Sequence, residues 1–372
     1  SARTMFAFVG SSPVAQLSVA DSPSYGTLPP PAVQRRGIMV FKDAQPLPFV
    51  ELDVHIGWVA HHPTNGFVYA CGGGELLALR LDAAGSLEVV SRADALGNPA
   101  HFEISADGAW VLCANYSAST LCVVPILRDG SLGAATDSKV FVIKASPELA
   151  DRQEASHPHM VRLTPGGNEW ALTCDLGADK VWVHAFDGKR GAVIGAANSK
   201  RHLSLPAGSG PRHLDFHPSK PWVYILCELD GNVVACTWDN AEGQLSPFQV
   251  TYTLPEGVAP CRAHHSGGAH ILVSKDGKTL YVSTRGDGCV VVFDIDADGM
   301  LAFKQRVPSG GVCPRNFVLD YSNPEAPILK VGNQDSQNVT NLAMATDGTL
   351  SQVSVDNLDG VCPNVLTVPF AY

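Results

Sequence analysis

A single unit recurs along nearly the whole chain, and it limits the fold more than composition can. Each copy holds a short strand, a polar turn often containing Pro or Gly, an apolar strand, a small-residue loop and a third, alternating strand. Clear copies are Trp58-Val59-Ala60-His61-His62-Pro63 before Phe67-Val68-Tyr69-Ala70, and His101-Phe102-Glu103-Ile104 before Trp110-Val111-Leu112-Cys113. The same alternation runs from Leu163-Thr164-Pro165 into Trp170-Ala171-Leu172, and from Leu214-Asp215-Phe216-His217-Pro218 into Trp222-Val223-Tyr224-Ile225. Leu272-Val273-Ser274 before Thr279-Leu280-Tyr281-Val282, and Phe317-Val318-Leu319-Asp320 before Ile328-Leu329-Lys330-Val331, complete six copies. Their mean spacing is about 52 residues, close to the ~40 to 50 residues of a four-stranded propeller blade.

Met5-Phe6-Ala7-Phe8-Val9 and Ile38-Met39-Val40-Phe41 supply a seventh unit, and Val365-Leu366-Thr367-Val368 is a suitable partner to close it from the other chain end. Closure of this kind removes free sheet edges. The pattern therefore predicts an all-β, seven-bladed β-propeller of four-stranded antiparallel sheets around a central channel, occupying residues 1–372 as one domain. The abundance of Gly (35) and Pro (26) suits many short strands joined by tight turns.

A formal charge of −10, with no Lys/Arg run longer than two, excludes a basic surface that would neutralise nucleic-acid phosphates or an anionic membrane. No apolar stretch is long enough to span a bilayer and no secretory leader pattern occurs, so the chain reads as cytoplasmic. The ten Cys residues lie scattered in apolar runs without a Cys-x-x-Cys pair, as buried reduced thiols do.

The repeat breaks its own rule at two positions. The residue before each first strand reads Gly57, Ala100, His159, Arg212, Ala269 and Arg315; the residue past each second strand reads Cys71, Tyr116, Leu176, Glu228, Arg285 and Gln334. In a hairpin these two positions lie at the same end, so both sets are expected at one mouth of the channel. An isolated Arg at a strand end is usually a solvated rim charge. A scaffold nevertheless has no need to converge three Arg, one Glu and one His. Arg212, Arg285 and Arg315 suit anchoring of an anion and stabilisation of an oxyanion. Glu228 and His159 remain as acid or base, and a Glu among Arg neighbours should stay ionised. Tyr116 and Gln334 fall on the same rim as candidate substrate contacts.

Other signals are weaker. His61-His62, His264-His265 and His157-Pro158-His159 do not present three or four metal ligands at a recognised spacing, and no cofactor fingerprint is present. Gly72-Gly73-Gly74 reads as a propeller turn rather than a phosphate cradle, and no Gly-x-Ser-x-Gly elbow occurs. Residues 11–36 form a Pro/Ser-rich insertion that opens at the same mouth and is expected either to cover it as a partial lid or to be a plain surface loop.

Gly210-Pro211-Arg212-His213-Leu214-Asp215-Phe216-His217-Pro218 followed by Cys227-Glu228-Leu229 resembles the signature blade of the seven-bladed propeller lactonases. Ala114-Asn115-Tyr116, Asp175-Leu176-Gly177-Ala178-Asp179-Lys180-Val181, Pro314-Arg315-Asn316-Phe317 and Gly332-Asn333-Gln334-Asp335-Ser336 extend the resemblance over nearly the whole chain. That family contains bacterial 6-phosphogluconolactonase and the fungal carboxymuconate lactonizing enzyme. The resemblance implies a His, two Arg and a Glu at the site, which fall on His159, Arg212, Arg285 and Glu228; Thr284 departs from the Asn that often precedes the last Arg. Three readings stand at this point: hydrolysis of a small anionic sugar lactone, cyclisation of a carboxylated muconate, and a non-catalytic propeller scaffold.

Overall fold

The computed structural model describes residues 4–12, 33–144, 151–167, 169–195, 201–255, 267–368 and 370–371. Among them there is no helix, and the strands form seven antiparallel sheets. Each sheet is a blade whose first strand faces the channel. These inner strands are Pro363–Leu366 in blade one, then Trp58–His61, Pro99–Ile104, Pro158–Leu163, Pro211–Phe216, Gly268–Val273 and Pro314–Asp320 in blades two to seven. Consecutive inner strands touch all round the ring, and Pro363–Leu366 contacts both the first and the last of the others.

Blade one closes the ring. Met5–Ser11 pairs with Gly37–Lys42 on one side and with the C-terminal Pro363–Leu366 on the other, Val9 standing opposite Leu366. The strand predicted as the closing partner therefore does close the ring, and the 11–36 insertion joins the second and third strands of that blade. Its residues 13–32, on which the lid expectation falls, lie outside the described residues.

Burial explains the sequence pattern. Second strands such as Trp170–Asp175 and Thr279–Thr284 are buried along their whole length, because a neighbouring blade covers each face. They accordingly carry apolar side chains on both faces, as in Trp170-Ala171-Leu172 and Leu280-Tyr281-Val282. An outer strand such as Leu350–Asn357 is exposed at all but its first residue and is polar. Seven apolar clusters result, one in each interface between blades: Trp170, Leu172, Val223 and Ile225 join blades four and five, for example, and Phe6, Phe8, Val59 and Val68 join blades one and two. Each large aliphatic or aromatic side chain so covered contributes about 1.5–3 kcal/mol.

One of the histidines that invited a metal reading, His62, is a latch between blades, and His217, outside that set, is another. His62 accepts the backbone N–H of Thr64 and Asn65 at Nδ1, which leaves its proton on Nε2 to donate to the Gly108 carbonyl at 2.9 Å. His217 repeats the arrangement with Ser219, Lys220 and Gly277. Among the described residues no cluster of three or more His, Cys, Asp or Glu could hold a metal ion. His264-His265 lies outside the described residues. The nine described Cys are free and buried.

Candidate active site

Six of the seven inner strands open with a β-bulge. In blade five Pro211 pairs with Cys227 and His213 with Leu226, so Arg212 is the extra residue; His159, Arg315, Ala100 and Asn364 are the extra residues of blades four, seven, three and one. In blade six Ala269 and His270 together oppose Ser283. A bulge re-aims a side chain out of the pleat, which is how the pre-strand position singled out by the repeat comes to face the mouth. Blade two, with Gly57, pairs without a bulge.

The second position has its own recurrent bond. The amides of Tyr116, Leu176, Glu228, Arg285 and Gln334 donate to the carbonyls of Asn98, His157, Gly210, Gly267 and Cys313 just ahead of the inner strand of the same blade. Cys71, expected to belong to this set, does not. It pairs with Trp58 inside its strand, and Gly73 is the first residue beyond the strand end. Counting back from the third strand failed there because that blade turns tightly through Gly73 and Gly74, both at positive φ.

Both sets meet around a pocket of about 420 Å³ lined by Tyr116, Arg152, His159, Glu228, Arg285 and Arg315, with Gly57, Gly72, Gly73, Asn98 and Asn364 on the facing wall. Glu228 is its electrostatic hub. Oε1 accepts from Arg152 Nη2 at 2.6 Å and Oε2 accepts from Arg212 Nε at 3.0 Å, while Arg285 Nη2, whose hydrogen bond goes to the Gly268 carbonyl, forms an ion pair with Oε2 at 3.0 Å. The carboxylate is 4% exposed. Burial pushes its pKa up, but the Arg285, Arg152 and Arg212 guanidiniums outweigh burial and hold it well below the usual carboxylate range. Close packing of the hub demands glycine at 267, where a Cβ would lie 1.7 Å from the Glu228 carbonyl oxygen.

Arg212 is 2% exposed and stands behind Glu228 rather than in the pocket wall. Burial, then Arg285 and Arg315, push its guanidinium below the usual value, yet it donates from Nε to Glu228 and from Nη1 to the Ala269 carbonyl, which fixes it as a cation. Its Nη2 corner has no partner among the described residues. Arg315 is likewise lowered, first by burial and then by Arg285. Four guanidiniums thus surround one carboxylate, a cationic pocket in a chain whose net charge is −10.

His159 is 7% exposed, and its pKa lies well below the usual imidazole value because of burial and then Arg212, with Glu228 pulling the other way and Arg315 adding a smaller push down. It is a neutral imidazole at neutral pH. Tyr116 meets it edge-on with ring centroids 5.5 Å apart and stacks on His157 at 4.3 Å. Its hydroxyl is bonded to Arg152, and burial, then Glu228, raises its pKa. Gln334 does not line the pocket: its amide donates to the Ser12 carbonyl at 3.1 Å, holding the start of the insertion in place.

Arg152 was not legible in the repeat because it belongs to none of its strands. It sits on the link 141–157 that leads into blade four, much longer than the link 95–98 into blade three. Gln153 Nε2 ties that link to the Leu176 carbonyl and to Asp179, at 2.7 and 2.8 Å, while Ser156 and the His157 amide are held by Asp175. The length of the link and its Arg152-Gln153 pair were the available signal. Asn364 was missed because the closing blade was left out of the repeat alignment, although it takes the Arg212 position there and donates to the carbonyls of Ile56 and Gly57.

A seven-bladed ring with an arginine-rich pocket at the start of its inner strands is the architecture of a small-molecule enzyme rather than of a bare scaffold. The lactonase family described as 7-bladed beta-propeller matches residues 53–364, and the chain belongs to it. A Bacillus subtilis protein named 6-phosphogluconolactonase is 31% identical over 289 residues, covering 76% of this chain and 78% of that protein. A protein of the same name from Formosa agariphila is 28% identical over 312 residues, 80% of this chain and 83% of that one. Among solved structures, the periplasmic gluconolactonase of Pseudomonas aeruginosa shares the fold at a TM-score of 0.80 and 24% identity, covering 98% of each chain.

Proposed function

We propose that this chain hydrolyses a small sugar lactone bearing an anionic group, of the 6-phosphogluconolactone type, in the pocket at the start of the inner strands. The observation that supports this most directly is the excess of guanidinium charge there: Arg152, Arg285 and Arg315 line the pocket while a single carboxylate answers them. A phosphate or carboxylate would complete the charge balance, and planar guanidiniums bind such groups in bidentate fashion.

Within this reading Glu228 orders the arginines. A carboxylate that is ion-paired to three guanidiniums and lies well below its usual pKa is a poor proton acceptor. The base is His159: burial lowers its pKa as well, but it lines the pocket uncharged and its Nδ1 has no hydrogen-bond partner among the described residues, whereas both Glu228 oxygens are engaged by arginines. It takes a proton from the attacking water as the water oxygen bonds to the lactone carbonyl carbon. It returns that proton to the ring oxygen as the C–O bond breaks, giving the open hydroxy acid. Arg285 stabilises the carbonyl oxygen while it carries negative charge, and Arg212 holds Glu228 from behind.

The deciding assay sets hydrolysis of 6-phosphogluconolactone against cyclisation of carboxymuconate with the same purified chain. Lactone turnover is expected; muconate cyclisation alone would overturn the hydrolase reading. His159→Gln is expected to lower kcat by about 10²- to 10⁴-fold with KM little changed. Wild-type turnover in that variant would remove His159 as the base.

A further inference from the structure

One residue deeper than the bulges, the inner strands carry a second ring of side chains: Trp58, His101, Met160, His213, His270, Asn316 and Val365. Its histidines lie between the arginine pocket and a larger cavity of about 620 Å³ at the opposite end of the channel, which His101 and His270 line. His213 packs against His159 with ring centroids 5.2 Å apart and against His270 at 5.0 Å.

The hydrogen bonds in this ring admit one assignment of protons. Arg212 Nη1 lies 2.9 Å from His213 Nε2, and a guanidinium can only donate, so Nε2 is the acceptor. Burial, then Arg212, keeps His213 neutral, so its one proton is on Nδ1. That nitrogen lies 2.8 Å from His270 Nδ1, which must then accept. His270 is also neutral, its pKa pushed down to about 3 by burial, then by Arg212 and Arg162. Its own proton is accordingly on Nε2. The bulges make the contact possible: they place consecutive residues Arg212 and His213 within reach of each other, and both within reach of Ala269 and His270 on the next strand.

We infer that His213 and His270 are positioning residues for Arg212, a chain of two neutral imidazoles in opposite tautomers that holds Nη1 inward and so fixes the guanidinium against Glu228 at the back of the pocket. Charges facing the pair come from Arg212 on one side and Arg162 on the other, with His101 and His159 neutral beside them. The inference rests on reading the mouth pocket as the active site.

The test uses the full chain in two arms. In the first, ¹⁵N-labelled histidines of the wild-type protein are observed at pH 7. His213 is expected with its proton on Nδ1 and His270 with its proton on Nε2. Either ring charged, or in the other tautomer, overturns the chain whatever the activity. In the second arm, His270→Phe removes the acceptor, and kcat/KM is expected to fall by roughly 10- to 100-fold because His213 is left with a buried, unpaired donor. His270→Asn puts an oxygen where Nδ1 was and is expected to recover most of the loss, whereas His270→Gln is not. Wild-type kcat/KM in a folded His270→Phe protein, or equal rescue by Asn and Gln, overturns the positioning role. A wild-type chain that turns over no lactone defeats the proposed reaction instead, and the tautomers still decide the hydrogen-bond chain.

Discussion

Two charge clusters, one buried and one partly buried, are centred on the inner strands of this propeller, and they are built in opposite senses. Deep in the channel Arg162 lies between two carboxylates, 3.1 Å from Glu103 and 3.1 Å from Asp215. Backbone amides take up the remaining capacity, Leu163 N donating to Glu103 and Val273 N to Asp215, both at 2.9 Å. At the mouth Glu228 lies between Arg152, Arg212 and Arg285, with Arg315 beside them. Here backbone carbonyls take some of the donors, Ala269 from Arg212 and Gly267 and Gly268 from Arg285, but Glu228 is the one carboxylate in the pocket lining. The deep cluster ties blades three, four, five and six together and spends its polar groups on that. The mouth cluster leaves cationic capacity pointing at a cavity, and that surplus distinguishes a site from a strut.

The sharpest test exchanges the two. Glu228→Gln strips the counter-charge from three buried guanidiniums, and kcat/KM is expected to fall at least about 100-fold with effects on both kcat and KM. Arg162→Met strips the cation from two partly buried carboxylates. It is expected to cost on the order of 1–3 kcal/mol in denaturant unfolding while activity per folded molecule stays within about twofold. Comparable loss of activity in both variants would break the distinction.

A second expectation concerns acid. His101, His159, His213 and His270 all have folded pKa values below the usual imidazole value, with burial as the first cause. The unfolded chain therefore binds protons that the folded chain refuses, and stability present above about pH 6.5 is lost as the pH falls below it. Each ring contributes about 1 kcal/mol per pH unit in that range. The buried Glu103 and Asp215 carboxyls, both raised by burial, pull the other way, favouring the folded state at lower pH. Urea midpoints at pH 7.5, 6.5 and 5.5 should drop steeply; a flat series would mean that the imidazoles are charged or hydrated in the folded protein.

Arg315 sharpens the comparison from the ligand side. It lines the pocket, and no salt bridge to it is formed among the described residues. Arg315→Met is expected to raise KM for a phosphorylated lactone by about tenfold or more, leave a neutral lactone almost unaffected, and leave stability unchanged or slightly improved. An equal effect on charged and neutral lactones would show that Arg315 does not read the anion.

The ring was legible because every blade must bury both faces of its second strand, and that requirement writes itself into each copy of the repeat. The mouth residues were legible for a related reason: a bulge at a fixed place in each blade turns one sequence column into one spatial ring. What stayed hidden follows the same logic. His213 and His270 are the next column inward, and as apolar-strand neighbours they read as core until their partners are known. Arg152 reaches Glu228 from a link that has no repeat to be compared with, and the folded path of such a link is set by contacts, here with Leu176, Asp179 and Asp175, that no local pattern announces.

The smallest expected effect lies on the edge of the mouth cluster. Asp335 follows Gln334 at the end of blade seven's second strand, and burial raises its carboxyl to about 6 despite the opposing pull of Arg315 and Arg285. Because its folded pKa is above the unfolded value, its ionisation costs stability as the pH rises through 6, and the resulting anion offsets part of the guanidinium surplus. KM for an anionic lactone is therefore expected to rise about two- to fivefold between pH 5 and 7, and Asp335→Asn to flatten that rise. Comparing the two proteins with one substrate removes the titration of the substrate's own phosphate. If the Asn variant retains the full wild-type dependence, Asp335 lies outside the electrostatic reach of the site, and the cationic surplus is set by the four arginines and Glu228 alone.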